Sequence, residues 1–159
     1  MRMRLIHVLD SENVQYDEGG LNAIVRSAGG DMRRALNTLQ TCFMSRNVIN
    51  EENAKLCTGY PSLSDTKYLL DTLLNNDIAN CYNFLFNFSV LQGVALQDII
   101  KELYLQVVSL SLPGDVVSEL VESLSTIEYN LSRSVNQKVH IAAIAASFYN
   151  ARANLQNSK

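Results

Sequence analysis

The chain has 159 residues, which is enough for one ordinary domain or two small ones. Hydrophobic residues make up 47% of it, which argues against wholesale disorder and predicts a sizeable apolar core. The formal net charge of -3 excludes a general electrostatic attraction to nucleic acid, so a DNA-binding surface would have to be a local basic patch or lie in another part of a protein.

Four short helices are predicted in the first part of the chain, because apolar residues recur at helical spacing. The first covers residues 5–9, and the second is capped by Asp17. The third occupies residues 31–45 and carries Phe43 on its apolar face, and a short fourth helix opens at Asn50. No segment alternates regularly enough to predict a strand.

The third helix begins at the most informative stretch of the chain, residues 29–37, which read Gly-Gly-Asp-Met-Arg-Arg-Ala-Leu-Asn. The glycine pair breaks the preceding helix, and Asp31 suits an N-cap because its carboxylate can accept from free backbone N–H groups. Arg33 and Arg34 fall in the first turn, where a cation is disfavoured by roughly 0.3–1 kcal/mol. They therefore indicate a nearby carboxylate or phosphate. The alternative is that Asp31 and solvent absorb both charges.

The clearest internal boundary is the sequence Gly-Tyr-Pro-Ser at residues 59–62. Gly59 can end a helix, and Pro61 disfavours helical structure in the residue before it. We therefore expect one domain at residues 1–60 and a second at 61–159.

Five longer helices are predicted after this boundary. The most regular apolar stripe runs from Leu96 to Val108 and includes Tyr104, and Pro113 ends that helix. The last helix is apolar almost all round at residues 141–149, which is typical of a helix buried on several sides. The predicted fold class is all-α.

Cysteine and histidine spacing predicts no metal site. Cys42, Cys57 and Cys81 have no CxxC or Cys/His ligand pattern, and an odd number of widely spaced cysteines favours reduced thiols over a disulfide framework. His7 and His140 have no matching ligands nearby in the sequence. No apolar run reaches the roughly 18–20 residues that a membrane span needs, so no membrane partner is expected.

No catalytic residues are predicted either. The chain has no GxxxxGK[ST] loop to hold ATP phosphates, and no Ser/His/Asp or Cys/His set in a recognisable motif. The acidic pairs Asp17-Glu18 and Glu51-Glu52 lie at helix starts, where the helix dipole explains them.

Several stretches resemble one family. Residues 30–37 closely resemble the sensor-2 motif of the small subunits of replication factor C, the eukaryotic AAA+ clamp loader. Residues 58–61, Thr-Gly-Tyr-Pro, resemble the junction between that family's lid and collar domains. Residues 127–132 and 136–138 resemble its last collar hairpin. The likeness extends along essentially the whole chain and is greatest to the subunit-five branch.

The resemblance implies an all-α chain made of a short AAA+ lid of three or four helices followed by a five-helix collar bundle that serves oligomerisation. The lid would occupy residues 1–60, with the sensor-2 helix at 31–45, and the collar residues 61–159. Arg33 would approach the nucleotide phosphates, Asp31 would cap the helix, and Arg34 would be accessory, pairing locally or facing another subunit. The chain would be the C-terminal part of a longer protein whose nucleotide-binding half lies upstream.

The resemblance also implies the function: subunit assembly and nucleotide sensing in ATP-dependent loading of a sliding clamp, in DNA replication and repair, in the nucleus. ATP or ADP would bind the intact subunit, with none expected on this part alone, which would have no ATPase activity. Partners would be other clamp-loader subunits through the collar, and the sliding clamp and primer–template DNA through the intact complex. Self-association of the isolated chain stays open.

Two alternatives to the clamp-loader interpretation remain at this point. The first is a stand-alone helical adaptor that binds other proteins and has no nucleotide role, in which case residues 30–37 are only a capped helix start. The second is the lid of a different AAA+ protein, such as a Holliday-junction motor, which fits the C-terminal five-helix unit less well.

Overall fold

The computed structural model describes residues 1–134 and 136–157, and it confirms the all-α class. Nine α-helices account for most of these residues: α1 Arg2–Ser11, α2 Glu18–Ala28, α3 Met32–Arg46, α4 Glu51–Thr58, α5 Leu63–Asn75, α6 Ile78–Phe86, α7 Leu96–Ser109, α8 Gly114–Leu131 and α9 Gln137–Asn157. A single π-helical turn, Asn87–Leu91, follows α6. None of the helices within the described part is both long and apolar enough to cross a lipid bilayer.

The chain divides into two compact units, the first Met1–Ser62 and the second beginning at Leu63. The first unit contains α1 to α4, and the second contains α5 to α9. The division lies close to the boundary predicted from residues 59–62, where Gly59 adopts a left-handed conformation directly after α4. Each unit has its own apolar core.

The core of the first unit is formed by one face of each of its helices. Its fully buried members include Leu5 and Leu9 of α1, Leu21 and Ile24 of α2, and Ala35 and Cys42 of α3. Phe43, which the sequence placed on the apolar face of the third helix, is instead 37% exposed. The helical period is correct, but the neighbouring helices cover the side of α3 that carries Cys42.

Two helix starts in the first unit are capped as their sequences predict. The Asp17 carboxylate accepts a hydrogen bond from the backbone N–H of Gly20 at 2.6 Å, and the Asn50 side chain accepts from that of Asn53 at 2.8 Å. Each cap satisfies a backbone donor that has no partner within its helix. The starts of α2 and α4 are thus determined by local chemistry.

A short strand pair in the first unit was not predicted. The strands β1 Gln15–Tyr16 and β2 Val48–Ile49 pair in parallel, with Gln15 opposite Val48 and Tyr16 opposite Ile49. They lead into the two capped helices, and the N–H of Asp17 extends the ladder by donating to the carbonyl of Ile49. Segments this short carry no detectable alternation.

Gly20 allows α2 to lie directly against the chain that follows β2. A Cβ added at this buried glycine would lie only 2.6 Å from the carbonyl oxygen of Ile49 and 2.8 Å from the carbonyl carbon of Asn50. Real Cβ atoms do not approach backbone this closely. The absence of a side chain therefore sets the separation of the two segments.

The core of the second unit is larger and is centred on α7, α8 and α9. Leu103 and Val107 of α7, Leu120 of α8, and Ile144 and Phe148 of α9 are among its buried members. The last helix thus contributes to the core along several turns, as its composition predicts. The stripe predicted on α7 is narrower than expected, because Tyr104 and Val108 are about half exposed.

The C-terminal end of α5 is satisfied by side chains from two other helices. The Cys81 thiol lies 3.4 Å from the Thr72 carbonyl oxygen, and Arg152 donates from Nη1 to the Leu74 carbonyl oxygen at 3.4 Å. A cationic donor suits the negative end of a helix dipole. The pKa of Cys81 is raised, mainly because the thiol is buried, so the thiol is protonated at neutral pH.

Candidate functional site at the start of the third helix

The turn before α3 depends on two glycines. Gly29 has φ of +56° and Gly30 of +93°, the region that residues with a side chain rarely adopt. The N–H of Gly29 donates to the Arg26 carbonyl oxygen, and that of Asp31 donates to the Ala28 carbonyl oxygen. These bonds close α2 and direct the chain into α3 within a few residues.

Asp31 caps α3. Its Oδ1 accepts from the backbone N–H of Arg33 at 2.8 Å and from that of Arg34 at 3.2 Å. The carboxylate therefore satisfies two backbone donors at the positive end of the helix dipole. The hydrogen bonds fix the backbone of both arginines and involve neither guanidinium group.

The side chains of Arg33 and Arg34 are both exposed. Among the described residues, neither guanidinium forms an ion pair, a hydrogen bond or a ring contact. Both cations thus lie in the first turn of α3, where the helix dipole disfavours them, and neither has an acidic partner among those residues. This arrangement can bind an anion, because a guanidinium offers several donors in a planar fork that matches phosphate or carboxylate oxygens.

The helix behind the two arginines is held firmly by the core. Ala35 and Cys42 are fully buried, and Leu39 nearly so, on the face opposite to solvent. An anion that binds Arg33 would therefore act on a rigid helix, so that a contact at its first turn is transmitted along α3 as a whole.

Two contacts in the first unit were missed by sequence reasoning. The Arg26 guanidinium lies over the Tyr60 ring, 5.7 Å from its centroid, which ties the end of α2 to the segment after α4. Cys42 and Cys57 pack on the same apolar cluster, and the Cys42 Sγ lies 3.9 Å from the Asn53 carbonyl oxygen in the turn of α4 that carries Cys57. Both pairs join residues that are distant in sequence, and neither belongs to a local pattern.

Within residues 1–134 and 136–157, no group of three or more His, Cys, Asp or Glu side chains is placed to hold a metal ion. His140 is buried in α9, and its Nε2 has no hydrogen-bond partner in that part of the chain.

Comparison with known protein families gives two matches that together cover most of the chain. Residues 61–147 match the family described as the replication factor C C-terminal domain. Residues 4–44, which include the start of α3, match the family described as the RCF1/5-like, AAA+ ATPase lid domain. The chain belongs to the replication factor C family. The family resemblance inferred from the sequence is thereby confirmed.

Individual relatives agree with this assignment. The chain is 39% identical over 152 residues to replication factor C subunit 3 of Oryza sativa, an alignment that covers 96% of this chain and 42% of the relative. It is 39% identical over 145 residues to replication factor C subunit 5 of Homo sapiens, covering 91% of this chain and 43% of the relative. A probable replication factor C subunit 5 from Dictyostelium discoideum is 36% identical over 148 residues, covering 92% and 43%. The chain thus spans about two-fifths of the length of these relatives.

Proposed function

We propose that this chain forms the lid and collar of a clamp-loader small subunit, with the lid at residues 1–60 and the collar at 61–159. In the intact subunit, the lid senses whether ATP or ADP is bound, and the collar holds the subunit in its assembly. The assembly opens a sliding clamp and places it on primer–template DNA during replication and repair in the nucleus. The chain itself has no ATPase activity, since its sequence contains no GxxxxGK[ST] loop to hold the ATP phosphates.

The observation that carries this proposal is the state of Arg33. Its guanidinium is exposed at the capped start of a rigid helix and has no acidic partner among the described residues. A phosphate group from a nucleotide held by the rest of the subunit supplies the missing anion. Because ATP and ADP differ in the phosphate that Arg33 reaches, they favour different positions of the lid.

Arg34 has an accessory role in this proposal. It is exposed, like Arg33, and its guanidinium likewise has no acidic partner in the described residues. It lies one position further along the helix, about 100° around the axis from Arg33. One nucleotide phosphate group does not require both side chains. We assign Arg34 to a contact with a neighbouring subunit and not to the nucleotide phosphate. Its removal therefore takes the same charge from this helix start without removing the proposed phosphate contact.

The collar assignment is supported by the surface of the second unit. Tyr104, Leu105 and Val108 leave an apolar patch on one side of α7, each between 45% and 59% exposed. Exposed aromatic and aliphatic side chains grouped on one helix are typical of a surface that contacts another protein. The stand-alone adaptor interpretation also uses such a surface, but it gives no reason for the lid match or for the sensor-2 motif.

Replacing Arg33 by alanine in the intact subunit is expected to lower the rate of clamp loading at limiting ATP by roughly 10- to 100-fold. This is the effect expected from the loss of one charge-assisted contact to phosphate. The fold should not change, because this side chain is exposed and no ion pair or hydrogen bond of its guanidinium is seen in the described residues. Loading is measured as the rate at which labelled clamp is transferred to primed DNA over a series of ATP concentrations.

Arg34→Ala is the matched control for this experiment, since it removes the same charge from the adjacent exposed position. It should leave the ATP dependence of loading close to that of the wild-type subunit. Arg33→Lys should give an intermediate loss, because it keeps the charge and removes the planar fork. Clamp loading that is equally efficient at limiting ATP with and without Arg33 would remove the sensor role.

A further inference from the structure

Cys42 and Cys57 are brought together by the packing of α3 against α4. Cys42 is fully buried on α3, and its Sγ lies 3.9 Å from the carbonyl oxygen of Asn53 on α4. In an α-helix that carbonyl accepts from the N–H four residues later, which belongs to Cys57. The Cys42 sulfur therefore lies against the helical turn that carries Cys57.

Both side chains pack on the same apolar cluster, Cys42 as one of its buried members and Cys57 as a partly buried residue against it. The neighbouring Cys57 thiol is also one of the causes that raise the pKa of Cys42. Cys57 is partly exposed, whereas Cys42 is not. The third cysteine, Cys81, belongs to the second unit, where its thiol faces the carbonyl groups at the end of α5.

We propose that Cys42 and Cys57 form a reversible redox modification site, in which an oxidant of the peroxide class converts the two thiols to a disulfide that links α3 to α4. Nothing in this inference depends on the clamp-loader role. A disulfide would nevertheless affect that role, because it would link α4 to α3, the helix whose first turn carries Arg33.

The two thiols have different roles in this reaction, because Cys57 is partly exposed and Cys42 is buried. Burial, together with the neighbouring Cys57 thiol, raises the pKa of Cys42 to about 12, so Cys42 is protonated at neutral pH. The first step therefore falls to Cys57, which oxidant can reach. The Cys57 thiolate attacks one peroxide oxygen, the O–O bond breaks, hydroxide leaves, and Cys57 becomes a sulfenic acid.

The second step closes the disulfide. The Cys42 sulfur attacks the Cys57 sulfur, the S–O bond breaks, and the departing hydroxide takes the Cys42 proton and leaves as water. Together the thiols lose two electrons and two protons, and hydrogen peroxide is reduced to two water molecules. A thiol reductant restores both cysteines by thiol–disulfide exchange.

Hydrogen peroxide treatment of the full chain, followed by alkylation of the remaining thiols and trypsin digestion, tests the proposal by mass spectrometry. The peptide of residues 35–46 should be linked to that of residues 56–67, with a mass lower by two hydrogen atoms than the sum of the two. Free thiols should fall from three per chain to one, and dithiothreitol should restore them.

Two variants serve as controls. Cys81→Ala should form the same link, and Cys57→Ser, at a partly exposed position that leaves the core intact, should abolish it. The proposal is overturned if Cys57 accumulates as a sulfenic or sulfinic acid while Cys42 remains a thiol. It is equally overturned if the oxidised product is a Cys57–Cys57 link between two chains, or if all three thiols survive peroxide that oxidises dithiothreitol.

Discussion

Replacing Leu103 by alanine should lower the free energy of unfolding of the second unit by roughly 2–5 kcal/mol. Leu103 lies on α7, is 0% exposed, and belongs to the apolar cluster shared by the helices of this unit. The truncation removes several buried carbon atoms and leaves a cavity that the packed neighbours can fill only in part. Because a domain is stable by only about 5–15 kcal/mol, the loss should be visible in urea unfolding followed by circular dichroism.

Leu105→Ala provides the matched control for Leu103→Ala. It makes the same chemical change on the same helix, at a side chain that is 59% exposed. Its effect on the isolated chain should stay within about 0.5 kcal/mol. Hydrogen exchange should locate the damage of Leu103→Ala in the second unit. Equal destabilisation by the two variants would mean that the buried face of α7 has been assigned incorrectly.

Gly20→Ala is expected to destabilise the first unit by roughly 2–4 kcal/mol, at the upper end of what overpacking costs. The new Cβ would lie 2.6 Å from the Ile49 carbonyl oxygen, and the obstacle is backbone, which cannot move aside as a side chain can. Relief requires α2 to separate from the segment between β2 and α4, which disturbs the short parallel ladder and the cap at Asp17.

Gly19→Ala tests whether the Gly20 effect comes from contact rather than from the loss of a glycine. The three atoms nearest to a Cβ at Gly19 would be side-chain atoms of Asp17 and Glu51, at 3.3 to 3.5 Å, and none of them is backbone. Alanine is the better helix former by up to about 1 kcal/mol, so this variant should be neutral or slightly more stable. Urea unfolding measures both variants, and a Gly20→Ala chain as stable as Gly19→Ala would contradict the close approach.

The helices could be predicted from sequence because their determinants are local. An apolar period marks each one, and Asp17, Asp31 and Asn50 cap helices through atoms only two or three residues away. The strand pair could not be predicted, because each strand is two residues long and its partner is distant in the chain. The exposure of Tyr104 and Val108 could not be predicted either. A helical period shows which residues share a face, but not how much of the helix circumference the neighbouring helices cover.

In the candidate site, too, some features could be predicted from the sequence and others could not. The start of α3 is one continuous stretch, from Gly29 to Arg34. Its arrangement therefore follows from turn and capping chemistry that can be predicted from the sequence. The contact of Arg26 with Tyr60 and the proximity of Cys42 to the turn that carries Cys57 depend on how helices pack. The structure places Cys42, and not the predicted Phe43, on the buried face of α3. Nothing in the sequence indicates which side chain Cys42 meets there.

Assembly with other clamp-loader small subunits tests the central claim most directly. The purified chain is first verified as folded by circular dichroism, then mixed with these subunits and applied to a sizing column, with an unrelated helical protein in place of the subunits as the control. A clamp-loader collar predicts that the chain elutes with the subunits as a larger complex and not with the control protein. A folded chain that elutes alone from both mixtures, at every concentration and ratio of subunits, would contradict the account.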